Sequence, residues 1–134
     1  MPESYSDVQA SYGRCSRKKG FITRFYQLLL DSDPRMEPMF AHTDWTQQNK
    51  ALRRGISIAL TYAGGSKIVE RPLKEMAEVH ARKGSVPVDP VLYAFWRQSL
   101  IQAVREHDSN LTPDLEKRWD SALRKTTDFF VERY

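Results

Sequence analysis

Residues 73–88 read LKEMAEVHARKGSVPV, and the phase of that stretch decides the architecture. Leu73, Met76, Ala77 and His80 recur at i, i+3, i+4 and i+7, one face of an α-helix. Lys74, Glu75, Glu78, Arg82 and Lys83 fall on the other face. The imidazole of His80 therefore stands among apolar side chains, and burial there favours the neutral ring, the form that coordinates a metal. Taken alone, a helix histidine bonded to a backbone carbonyl is the plainer reading.

The same period runs outward in both directions. Ile22, Phe25, Tyr26 and Leu29 repeat the pattern, and Leu92, Phe95 and Trp96 continue to Leu100 and Val104. No run alternates as a strand would. Helix boundaries are marked by Asp33-Pro34, Pro38, the capping-box-like Asp44-x-x-Gln47, Gly64-Gly65, Pro72, Gly84, Asp89-Pro90 and Thr112-Pro113. These signals predict an all-α fold of about six or seven helices, near 5–16, 20–32, 45–62, 71–83, 90–107 and 113–133, with a short turn at 35–40, each end good to roughly ±2–4 residues.

The chain has 134 residues, enough for one core and too few to expect two, so a single domain over 1–134 is expected. A net charge of +4 arises from 21 Lys and Arg against 17 Asp and Glu, with the basic residues in short clusters separated by acids. Such a surface favours solubility over nucleic-acid binding. No stretch approaches the roughly 20 apolar residues of a membrane span, and the start lacks a signal-peptide core, so a cytoplasmic location is expected. The single Cys15 excludes an internal disulfide, and the chain has no C-x-x-C-H.

Order and spacing add a resemblance that covers essentially the whole chain. Phe25-Tyr26-Gln27-Leu28-Leu29-Leu30, then Asp33-Pro34 and Pro38-Met39-Phe40, closely resembles the second helix and following corner of bacterial single-domain globins and flavohaemoglobins. Gln48-Asn49-Lys50-Ala51-Leu52 looks like their distal helix. Leu73 to His80 with Gly84, Val86 and Pro87 looks like the proximal helix and its exit. The Trp96 and Trp119 helices would be the last two long ones, with both indoles packed between them.

The resemblance implies a globin fold around one haem b, bound without covalent attachment and with His80 as the axial iron ligand. It implies that Phe40 stacks on the porphyrin and that Tyr26 and Gln48 stand over the other face as hydrogen-bond donors to dioxygen. Leu52 would form the apolar ceiling, and Met76, Val79 and Val86 would line the proximal side. His42, or alternatively Arg82, would reach a propionate. Trp45 would cover the mouth or pack as a staple.

Departures from the family bear on reactivity. In members that act on nitric oxide, the proximal histidine is often tied to a tyrosine and a glutamate. Here Pro90 stands nearest to that tyrosine position, with Tyr93 about one turn later, and Ser121 stands where the glutamate is expected. No reductase domain is expected beyond Tyr134. Reversible binding of dioxygen, carbon monoxide and nitric oxide is the leading expectation. The alternatives are a gas sensor signalling to a separate partner, and a nitric oxide dioxygenase or weak peroxidase served by a separate reductase.

Overall fold

The computed structural model describes residues 4–134, and among them it is all-helical. Seven α-helices follow one another: α1 (Ser6–Ser16), α2 (Phe21–Ser32), α3 (Met36–Met39), α4 (Trp45–Ala63), α5 (Glu70–His80), α6 (Tyr93–His107) and α7 (Pro113–Glu132). Short 3₁₀ turns at Lys67–Val69 and Pro90–Leu92 lead into α5 and α6. The expected segments match in order and extent, including the short helix in the 35–40 turn.

Local chemistry sets the ends. The Asp44 carboxylate accepts from the backbone N–H groups of Thr46 and Gln47 at 3.1 and 3.2 Å, and so starts α4. Thr112 does the same for α7, accepting from the N–H of Leu115 at 3.1 Å, with Pro113 in the first turn. Gly20 precedes α2 at φ 93°, a conformation that residues with a Cβ rarely adopt.

α5, expected to end near 83, ends at His80. Ala81 turns into extended backbone, and the chain folds back over the helix it has just left. The N–H of Val86 donates to Val79 O at 2.9 Å and that of Val88 to His80 O at 3.1 Å. The reversal needs Gly84, where a Cβ would lie 2.2 Å from the carbonyl oxygen of Glu78. Helical spacing through Arg82 and Lys83 could not reveal this, because the bonds that stop the helix come from residues beyond it.

Packing follows the apolar stripes. The α2 stripe of Phe21, Ile22, Phe25, Tyr26 and Leu29 is buried, and α2 lies against α6 while α4 lies against α7. Ile56, Leu60, Leu100, Val104, Trp119 and Leu123 fill the centre, all fully buried. Trp119, expected between the last two helices, also reaches α1. Its Nε1 donates to Ser11 Oγ at 2.9 Å, and its ring meets Tyr12 edge-on at 6.5 Å. Trp96 turns the other way, toward Phe25 at 6.3 Å.

Ser11 in turn donates to Asp108 Oδ2 at 2.6 Å, and Arg14 holds both Asp108 oxygens at 2.7 and 2.9 Å. This buried chain of bonds joins α1, the end of α6 and α7.

Candidate functional site

A cavity of about 690 Å³ opens among α2, the α3 corner, α4, α5, α6 and α7, within the size range of small-molecule and cofactor sites. Its walls are mainly apolar: Leu29, Met36, Phe40, Leu52, Ala59, Met76, Val79, Val86, Val88, Leu92, Trp96 and Phe130. A few polar groups interrupt them.

His80 is the first. As the last residue of α5, half-buried, it lines the cavity with its ring 6.0 Å from that of Phe130. Its Nδ1 lies 3.0 Å from Val86 O, a carbonyl brought there by the reversal through Gly84. A carbonyl only accepts, so Nδ1 carries a proton, and the lone pair of the neutral imidazole then lies on Nε2. That bond fixes the ring's orientation and leaves Nε2 as the nitrogen able to ligate a metal.

Tyr26 is the second, buried on α2 with its hydroxyl beside α4. The Gln48 side-chain amide donates to Tyr26 Oη at 3.1 Å, whereas the nearest acceptor for the phenol proton, Gln48 O, is 3.5 Å away. That bond is long, so the phenol proton can turn to a better acceptor in the cavity. Burial pushes the Tyr26 pKa up to about 12, against the smaller opposing effect of the Gln48 bond, and the group stays a neutral donor. Gln48 thus lines the cavity as expected, but its amide is committed to Tyr26, while Gln47 is exposed.

Phe40 lines the cavity from the corner, backed by Trp45, which stacks on it at 5.7 Å with rings 13° apart. Tyr26 meets both rings edge-on, at 5.8 and 4.9 Å. Trp45 therefore serves as a staple that braces Phe40 and Tyr26. Leu52 is buried in the wall, and Met76, Val79 and Val86 line it as expected, with Val79 and Val86 39% and 48% exposed. His42 is exposed and lies off the lining. Arg82 is also off it, its guanidinium 4.9 Å over the Tyr134 ring.

The last helix contributes residues that the sequence reading missed. Ser121, which stands where the resemblance expects a glutamate, bonds Tyr5 at 2.8 Å. α7 meets the cavity through Thr126, Thr127 and Phe130. Their helical phase with Trp119 and Leu123 was a legible signal. Thr127 has its hydroxyl satisfied by the Arg124 carbonyl and by Arg97. The Thr126 hydroxyl, 3% exposed, has no hydrogen bond among the described residues. Tyr93 also lines the cavity, packed on Phe130 at 5.8 Å, with burial pushing its pKa up to about 12.

These residues fit a haem group. Among the described residues no cluster of three or more His, Cys, Asp or Glu side chains could hold a bare ion, so an iron on His80 would have to bring its other ligands with it. A planar tetrapyrrole does so. It would also cover Val79 and Val86, the exposed apolar side chains at the rim.

An all-helical chain enclosing an apolar slot with one poised imidazole is the architecture of a globin, and comparison with solved structures shows that fold. The chain is similar to a protein from Pseudomonas aeruginosa PAO1 whose crystal structure is described as structurally highly homologous to a human hemoglobin. The two share 31% identity over 98% of each chain, with a TM-score of 0.92. The protein belongs to the bacterial single-domain globins. No family model matches the sequence, and no curated protein does. No helix among the described residues is long and apolar enough to cross a membrane.

Proposed function

We propose that this globin binds haem b through His80 and reversibly binds dioxygen and other diatomic gases, carbon monoxide and nitric oxide among them. One observation carries the reading: His80 has its Nδ1 proton engaged by Val86 O while lining the same cavity as the neutral, buried phenol of Tyr26. When bound, haem supplies the ferrous iron that gases ligate. The chain's own part is to anchor, orient and exclude water. His80 would hold the iron through a ring nitrogen, Phe40 and Leu52 would form apolar walls, and Tyr26 would offer a hydrogen bond to a bound gas.

The partner of His80 also bears on reactivity. A carbonyl is a neutral acceptor and lends the imidazole less anionic character than a carboxylate would. This favours reversible binding over oxygen activation, and so over a dioxygenase or peroxidase working with a separate reductase.

The test is the absorption spectrum of protein supplied with haem, in ferric, ferrous and carbon monoxide-treated forms. A stoichiometric Soret band that shifts with redox state and gas supports the reading, and failure to take up haem rejects it. Because neither His42 nor His107 lines the cavity, the ferrous protein is expected to be mainly five-coordinate. A low-spin six-coordinate ferrous spectrum without added ligand would contradict that. Tyr26→Phe is expected to speed dioxygen release about 10-fold, the equivalent of one hydrogen bond of about 1.4 kcal/mol. Carbon monoxide release, where the ligand carries less negative charge, should change less. An unchanged dioxygen rate in stopped-flow measurements would return Tyr26 to a packing role.

A further inference from the structure

Arg54 is an exposed residue of α4 that nevertheless lines the cavity. Its guanidinium makes no hydrogen bond or ion pair with any described residue. Glu75, the carboxylate on the same lining, already has a cation, since Arg71 reaches it at 3.4 Å. The other candidates for an anion at this opening are poorly placed: His42 lies off the lining and Arg82 is stacked over Tyr134. The neighbouring Arg53 does not line the cavity either.

One uncompensated positive charge therefore stands at an otherwise largely apolar slot. A molecule that fills the slot with an apolar ring gains most if an anionic group on its edge meets that charge. Haem has this character, an apolar macrocycle with two carboxylates on one edge. We infer that Arg54 is the positioning residue for a haem carboxylate, an inference that rests on the haem-binding reading above. The guanidinium fork pairs with the carboxylate and fixes which edge of the ring faces solvent, while His80 holds the centre.

The experiment follows transfer of ferric haem from the loaded protein to excess apomyoglobin. It compares the parent, Arg54→Gln and Arg53→Gln, each loaded with haem or with haem dimethyl ester, whose carboxylates are masked. Arg54→Gln should release haem about 5-fold faster than the parent, the order expected of a partly exposed charge pair. Arg53→Gln should match the parent. With the dimethyl ester all three proteins should release at similar rates, and about 1 M salt should narrow the difference seen with haem. Equal release by Arg54→Gln and Arg53→Gln overturns the inference. So does equal acceleration with haem and its ester, which would make Arg54 a steric lid. A parent protein that takes up neither compound would instead defeat the haem-binding reading itself.

Discussion

His80→Ala is expected to lose stoichiometric haem binding, with affinity falling by more than about 100-fold, since losing even an outer-shell partner of a metal ligand costs about 10- to 100-fold. The fold should survive. His80 is half-buried at the end of α5, and truncating it removes a ring contact with Phe130 but no central core side chain. Far-ultraviolet circular dichroism and the urea midpoint of the haem-free protein should therefore stay close to the parent's, while the Soret band is lost. Imidazole added to His80→Gly should restore part of the band, because the pocket keeps its apolar walls and can take the small ring where the side chain stood. A His80→Ala protein that takes up haem fully and responds to gas as the parent does would remove His80 from the site.

Asp108→Ala is expected to lower stability by about 3 kcal/mol, the low end for breaking a buried pair, because Arg14 remains partly exposed. For a chain of this length that corresponds to a melting temperature lower by roughly 10 °C. Asp108 has no exposed side-chain surface and receives bonds from Arg14, Ser11 and the N–H of Asn110. Its removal leaves the buried Ser11 hydroxyl, which also accepts from Trp119, without its own acceptor. Calorimetry checks the size, and a change below about 1 kcal/mol would place the network outside the stabilising core.

The same network sets an acid limit. The Arg14 guanidinium, followed by the Ser11 and Asn110 bonds, holds the Asp108 pKa at about 2 against the opposing effect of burial, below the ordinary 3.8. A carboxyl depressed in the folded state stabilises fully above its unfolded pKa and loses that contribution as pH falls toward the folded value. The contribution, of about 2 kcal/mol, should be intact at pH 5 and fade between roughly pH 4 and 2. In Asp108→Ala that part of the acid dependence should be missing.

Much of the architecture was legible in the chain. The α2 stripe through Phe25, Tyr26 and Leu29 and the α5 stripe ending at His80 depend on helical spacing, and the starts of α4 and α7 on Asp44 and Thr112 one to three residues away. Phe40, Leu52 and Met76 could be placed on the lining by resemblance, and they stand there. The misplaced residues share a different dependence. Ser121 was assigned by its position in a family pattern, but its direction follows from how α7 rolls against α1, which turns it to Tyr5. His42 and Arg82 carry the right charge chemistry for an anion, and only the path of the corner and the docking of Tyr134 take them off the lining.

The sequence by itself determined the helices, their order and the apolar phase of His80, because these arise from contacts within a turn or two of the same helix. Only the tertiary structure decided how the imidazole is held. It returned Val86 to His80, set Gln48 against Tyr26 across 22 residues, joined Ser11 to Asp108 across 97, and left Arg54 without a partner at the rim. Hydrogen bonds and ion pairs form within about 3–4 Å, so their partners follow from the packing of whole helices, which no local spacing encodes.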